Sequence, residues 1–346
     1  MAQRMRRILV AIRDVTHAPK NELRKAAVLA RASGAGVELF HVIDEPDPAA
    51  SWPETATAQT VERQRAAIAT RRRHRLEQFA CDPALRRVKV SCTTAWDHPP
   101  HEAIVRRALA SRADLVIAAT RGHRLGARLL LRNTDWELIR HCPVPLLLVK
   151  SPRPYQRPVV LAAVDPFHAH ARPADLDARL LDAGGRFART LRGTLHIFHA
   201  YLPLVSVAPV PVGTAPLVVM PPEAEEAHAR QIARTIDALA ESAGIPPARR
   251  HIRLGEVASE LSAAARRLRA SVVVMGAVSR AALVRLFIGN AAERVLDRLG
   301  CDVLVVKPRG FRSGVTALTR SPKRARQPRP RRAHSVTPGE ALPPLL

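Results

Sequence analysis

The sequence predicts an α/β chain built twice, with a doubly wound parallel sheet in each half. Three observations lead there. Apolar, strand-like runs alternate with helical stretches along most of the 346 residues, and each parallel strand pair needs a right-handed crossover. Asp114–Ala119 is a continuous apolar run, the mark of a strand covered on both faces. The second half also repeats the plan of the first. Asn133–Lys150 (NTDWELIRHCPVPLLLVK) and Asn290–Lys307 (NAAERVLDRLGCDVLVVK) each pass from an Asn through a helical stretch into an apolar strand ending in Lys. They lie 157 residues apart (133 to 290), as do Leu115–Ala118 and Val272–Met275. Nearer the starts, LVAIRD (Leu9–Asp14) matches VLAAVD (Val160–Asp165), and LFHV (Leu39–Val42) matches IFHA (Ile197–Ala200). A period this long marks a duplicated domain, because solenoid units run roughly 20–50 residues.

Taken in order, Arg7–Ile12 reads as a strand and Asn21–Ser33 as a helix, with Leu and Ala at helical spacing and Gly34 and Gly36 as stop residues. Val37–Ile43 is a strand, and Glu45–Thr57, with three prolines, a loop. Val61–Phe79 is an Arg-rich helix, Arg87–Thr93 a short strand, and His101–Ser111 a helix. Strand Asp114–Ala119, helix Asp135–Arg140 and strand Pro145–Lys150 complete the first domain, residues 1–150. A proline-stiffened linker covers 151–157. The second domain, 158–308, repeats the order: strand Val159–Val164, helix Ala174–Leu191, strand Leu195–Ala200 and a Pro/Val loop, Leu202–Pro222. Helix Glu223–Ser242, strand Arg250–Leu254, helix Ala258–Arg269 and strand Ser271–Gly276 follow. Loop Ala277–Ile288, helix Ala291–Leu299 and strand Asp302–Lys307 close it. Residues 309–346, rich in Arg, Pro and Ser, are expected to be a disordered basic tail.

Composition narrows the function classes. Cys81, Cys92, Cys142 and Cys301 form no C-x-x-C pair and no Cys/His array with zinc spacing, so neither a disulfide scaffold nor a metal is expected. Arg13 interrupts the apolar run Ile8–Ile12 before it reaches the roughly 7–15 residues of a signal peptide. No run approaches the ~18 residues of a membrane span. The expected location is the cytoplasm, with no membrane partner. The formal charge of +25 invites a nucleic-acid reading. Yet only six basic residues are Lys, and nine fall after Lys307 against the single acid Glu340. An Arg-, Ala- and Pro-rich profile fits a genome-wide codon bias equally well. Non-specific attraction to polyanions is therefore expected at low salt, with RNA or DNA association as an alternative function.

In open α/β sheets, ligands sit beyond the carboxyl ends of the strands. Asp14 and Asp165 stand there after the first strand of each half, together with the loops after the fourth strands. In the second half that loop runs from Gly276 through Ser279 to Gly289 and Asn290, at a helix start. Glycine at a strand end lets backbone approach a ligand, and glycine before a helix exposes N–H groups to an anion.

On these residues the chain resembles the universal stress proteins. The strand-end Asp, the order of elements and a Gly-x2-Gly-x9-Gly-Ser/Thr frame carry the resemblance, which covers both halves. Thr134–Pro143 and Gly289–Lys307 resemble the family's tandem E type. The resemblance implies two flavodoxin-like, adenine-nucleotide alpha hydrolase-like folds, each with five strands in the order 3-2-1-4-5. It also implies a stress-response role as a ligand-binding, partner-binding or adaptor protein rather than an enzyme, with weak nucleotide hydrolysis as an alternative. The nucleotide-binding branch of the family holds ATP through the glycine frame, so ATP is the candidate ligand of the second half, at Asp165, Gly276, Ser279, Gly289 and Asn290. No cofactor is required. Ser279 and Asn290 depart from the frame there. In the first half only Gly122 matches: Ala119 and Arg132 replace the outer glycines, and Asn133 replaces Ser/Thr. Arg132 should obstruct that pocket or turn it toward another anion, leaving Asp14, Gly122 and Asn133 as a degenerate site.

Plain structural readings compete with these. Asn290 with Glu293, and Thr134 with Glu137, have capping-box spacing. Asp14 and Asp165 suit turns. His41 and His199 suit hydrogen-bonded core positions, Arg71–Arg73 a solvated helix face, and Trp96 and Trp136 packing. No nucleophile stands with a base and an orienting acid. The last strands, Pro145–Lys150 and Asp302–Lys307, would be sheet edges open to pairing, so the two halves are expected to pair through them as an intrachain pseudo-dimer.

Overall fold

A computed structural model describes residues 5–44, 57–120, 124–125, 128–129, 133–167, 175–203, 205–207, 217–219, 221–277 and 290–315. The first half supplies strands β1 (Arg7–Ile12), β2 (Gly36–Ile43), β3 (Val90–Trp96), β4 (Leu115–Ala119) and β5 (Leu146–Val149). Its helices are α1 (Lys20–Ser33), α2 (Ala58–Ala80), α3 (Pro100–Ala110) and α4 (Asn133–His141). The second half supplies β6 (Val159–Ala163), β7 (Thr194–Tyr201), β8 (Arg250–Leu254), β9 (Val272–Gly276) and β10 (Asp302–Val306). Its helices are α5 (Leu176–Thr190), α6 (Pro222–Ser242), α7 (Val257–Arg267) and α8 (Asn290–Arg298).

These strands form one ten-stranded sheet, ordered β3-β2-β1-β4-β5-β10-β9-β6-β7-β8. Within each half every pairing is parallel and the order is 3-2-1-4-5. At the centre β5 pairs antiparallel with β10, Val303 opposite Leu148 and Val305 opposite Leu146. The two five-stranded sheets are thus halves of a single sheet, and their carboxyl ends point to opposite rims. Neither β5 nor β10 is an edge. The outer edges are β3 and β8, and β8 carries Arg250, His251 and Arg253, the kind of charged edge that resists further pairing.

Alternate strand residues enter two cores, one on each face, and both run through both halves. One holds Ile8, Val10, Ile117, Leu147, Val160, Val274 and Leu304. The other holds Leu9, Val116, Leu148, Leu161, Val273 and Val303. Burial on both faces is why these strands read as unbroken apolar runs. Helix α1 ends where Gly34 turns left-handed at φ 75° and donates its N–H to Ala30 O. Gly184 of α5 allows a close helix–sheet approach, since a Cβ there would lie 3.0 Å from Leu195 Cδ1. By contrast α2 buries only Leu76 and Phe79. Arg71 and Arg73 are exposed, as a solvated face requires.

Polar groups tie the halves together at the junction. Lys150 Nζ donates to Leu296 O near the end of α8, and Lys307 Nζ donates to Arg140 O near the end of α4, at 2.8 Å. The two lysines that close the sequence copies therefore each cap the other half's helix, where a cation meets the negative end of the dipole. Asp302, fully buried, accepts the N–H groups of Lys150 and Ser151 at 2.9 Å, the Lys25 ammonium and the Tyr155 hydroxyl. Burial lowers the Lys25 pKa against the pull of Asp302, and burial followed by the Asp302 charge raises that of Tyr155.

Some expectations need correction. The third strand lies at Val90–Trp96 rather than Arg87–Thr93, because a 3-10 turn at Pro83–Leu85 and a left-handed Arg87 (φ 66°) precede it. The Pro/Val loop contains a short antiparallel pair, Val205–Val207 with Leu217–Val219. Disorder does not begin at residue 309: Lys307 Nζ lies 4.4 Å from the Phe311 ring centroid and Val315 is buried in the core. All four cysteines are free, and burial pushes the Cys142 and Cys301 thiols up to about 11, so they act as small apolar groups.

Candidate functional site

Each half has a cleft at the carboxyl ends of its strands. In the first, of about 300 Å³, Asp14, Glu22, Asp44 and Asp135 line the wall with Arg13, over a floor that includes Phe40, Ile104 and Ala118. Asp135 is fully buried in the first turn of α4, and its Oδ1 accepts from Arg13 Nη2 at 2.7 Å. Among the described residues, four carboxylates line the cleft with one guanidinium, that of Arg13, which is bound to Asp135. Arg132, on which the expected obstruction or turn toward another anion rests, lies outside the described residues. Asp14 builds the turn after β1: its Oδ1 accepts from Thr16 N at 2.7 Å and Thr16 Oγ1 at 2.6 Å.

The second cleft, of about 100 Å³ among the described residues, is lined by Asp165, His199, Phe198, Val257, Leu261, Met275, Gly276 and Val295. Among the described residues, one carboxylate and the His199 imidazole sit in an otherwise apolar wall. Asp165 N–H donates to Asp177 Oδ1 at 3.1 Å, which fixes the turn after β6. Gly276 has a packing reason of its own, since a Cβ there would lie 2.7 Å from Leu176 Cδ2.

Of the residues singled out from sequence, Asp165 and Gly276 meet in one cleft, and Asp14 lies in the other. Asn133 and Asn290 open α4 and α8. Gly122, Ser279 and Gly289 lie outside the described residues. His41 and His199 prove to be core histidines at matching positions: each Nδ1–H donates to a carbonyl, Ile12 O at 2.8 Å and Val164 O at 3.0 Å. Trp136 packs against the core. The Thr134/Glu137 capping box is corrected, because the Glu137 carboxylate turns to Arg140 Nη1 at 2.7 Å and His141 Nε2 at 3.2 Å.

Sequence reasoning missed one constellation. His101 of α3 meets Glu137 and His141 of α4, with one ligand-type atom from each within 4.8 Å of the others. The i,i+4 spacing of Glu137 and His141 was readable, but nothing local joins them to His101. Among the described residues, no helix is long and apolar enough to cross a membrane.

Comparisons with known proteins agree with this architecture. A family model described as the universal stress protein family matches residues 5–150 and 159–307. Universal stress protein E of Escherichia coli strain K12 is 28% identical over 235 residues, covering 66% of this chain and 71% of that protein. Universal stress protein E of Photorhabdus laumondii is 25% identical over 313 residues, covering 89% of this chain and 97% of that relative. Among solved structures, one of a putative universal stress protein from Pseudomonas aeruginosa UCBPP-PA14 has a TM-score of 0.65 at 26% identity. It covers 88% of this chain and 94% of its own.

Proposed function

Because this chain belongs to the universal stress protein family, with two matching domains in tandem, we propose that it is a stress-response binding protein whose second half holds an anionic small molecule, ATP foremost. The contrast between the clefts carries this reading. The first is lined by carboxylates, and Asp135 fills the first turn of the helix where a phosphate would dock. In the second half the sequence places Ala292 at the position of Asp135 and Val164 at that of Arg13, so the ion pair that occupies the first turn of α4 has no counterpart there.

In this reading the apolar wall of Phe198, Leu261 and Met275 takes the base, and Asp165 accepts a hydrogen bond from a ribose hydroxyl. The phosphates run toward Ser279, Gly289 and the start of α8 at Asn290, where free backbone N–H groups and the helix dipole favour an anion. Occupancy then biases a partner-binding surface, an adaptor's mode of action rather than turnover.

The test is the thermal unfolding of the purified full chain with ATP and Mg²⁺, in the wild type and in Gly289→Arg. At 100 times the dissociation constant, ligand adds about 2.7 kcal/mol to stability. The wild type should melt higher with ATP, and the variant should not respond. A wild type indifferent to ATP removes the nucleotide reading, and phosphate release in the same sample would convert it to hydrolysis.

A further inference from the structure

We propose that His101, Glu137 and His141 form a divalent metal site of the zinc class, found among the described residues in the first half alone and separate from either cleft's ligand. Zinc takes imidazole nitrogen and carboxylate oxygen at about 2.0–2.2 Å, and three protein ligands with water in the fourth position form one of its ordinary arrangements. The side chains needed converge here. Glu137 and His141, four residues apart, stand on one face of α4, and His101 reaches them from the first turn of α3.

The distances suit shared coordination. Glu137 Oε2 and His141 Nε2 lie 3.2 Å apart. The edge of a tetrahedron with ligands at zinc distances is about 3.3 Å, so these two atoms already have the spacing of neighbours on one ion. The full set lies within 4.8 Å, and the two imidazole centroids are 5.7 Å apart. A side-chain rotation of His101 closes the remainder.

The surroundings prepare the carboxylate. Arg140 Nη1 binds Glu137 Oε1 at 2.7 Å, holding one oxygen and leaving Oε2 turned to the histidines, as outer-shell partners do around metal ligands. Glu137 and His141 side chains are only 22% and 18% exposed. His141 Nδ1 is buried with no hydrogen-bond partner among the described residues, so protein contacts leave one of the ring's two nitrogens unsaturated.

The second half shows that the fold does not demand these residues. At the positions of His101, Glu137 and His141 it carries Ala258, Arg294 and Arg298. The two arginines reach Glu256 at 3.7 Å and 3.2 Å. The same pair of helices is closed there by ion pairs, with no metal-ligand chemistry.

The experiment is zinc titration of untagged full-length protein by calorimetry, followed by Co²⁺ absorption in the visible. The wild type should bind one equivalent more than His141→Arg, a variant that copies the second half and retains a partner for Glu137. His101→Ala, at a half-exposed position, and Glu137→Gln should each weaken zinc by about 100-fold or more, since losing even an outer-shell partner costs 10–100-fold. Co²⁺ should give tetrahedral d–d bands in the wild type only. Equal zinc affinity and stoichiometry in the wild type and all three variants, or no binding at all, overturns the proposal. If His141→Arg fails to fold, His101→Ala alone decides it.

Discussion

The two halves share a sheet and a strand order but not a chemistry at the rim. Both keep a two-faced apolar strand pattern, a core histidine donating to a carbonyl after the first strand, and a closing lysine that caps the opposite half. They part company at the carboxyl ends, where the described residues give one cleft four acids beside Arg13 and the other Asp165 and His199 in an otherwise apolar wall. They differ again at the junction, where Asp302 corresponds to Pro145 of the first half. What the sheet needs in order to fold has been kept twice. What a ligand or the junction needs is present once.

The junction gives the most direct way to break this comparison. Asp302→Ala strips the charged partner from buried Lys25, which keeps the Ser151 carbonyl, and the acceptor from two backbone N–H groups. Removing one member of a buried pair costs about 3–5 kcal/mol, which denaturant unfolding should report. Pro145→Ala, at the equivalent place, should cost less than ~1 kcal/mol, because its carbonyl still accepts Val116 N–H. Adding Lys25→Met to Asp302→Ala should recover part of the loss. Equal costs at 302 and 145 would erase the asymmetry.

The clefts can be sharpened next. Asp135→Asn keeps the shape of the first cleft and frees the Arg13 charge, so inorganic phosphate should bind there at least about tenfold more tightly, the equivalent of 1.4 kcal/mol. Equilibrium dialysis with labelled phosphate reads this directly. No gain would show that something other than the buried carboxylate closes the first half to anions.

A further effect concerns pH and is spread over more than two units. Burial lowers the Lys307 pKa from 10.5 to about 8. Between those values the unfolded chain binds the proton that the folded chain has lost, so stability should rise with pH across that window, by at most about 1.4 kcal/mol per unit. Below pH 8 both states are charged and the contribution is flat. Stability curves for the wild type and Lys307→Met should diverge in slope between pH 8 and 10.5; parallel curves would mean that Lys307 keeps an ordinary pKa.

The alternation of elements was legible because strands such as Leu115–Ala119 and Val272–Gly276 are buried on both faces and must be apolar throughout. The duplication was legible because the segments before each closing lysine keep one plan, from an Asn through a helical stretch to an apolar strand, at the same spacing. The Asp302 cluster was not, since its partners are scattered through the chain and Lys25 lies 277 positions away. Local rules also misread Glu137: capping-box spacing is satisfied in sequence, but Arg140 and His141 compete for the same carboxylate one turn on. His101 was invisible beside them because the α3–α4 contact is made in space.

The antiparallel pairing of β5 with β10 has a consequence for valence. With the two mouths facing away from each other, no single small molecule can clamp both. Any cross-talk must be mechanical, carried by a slide along the central strands. A slip of one residue there would turn those side chains inside out, so the seam works as a strut that keeps the two mouths at opposite rims.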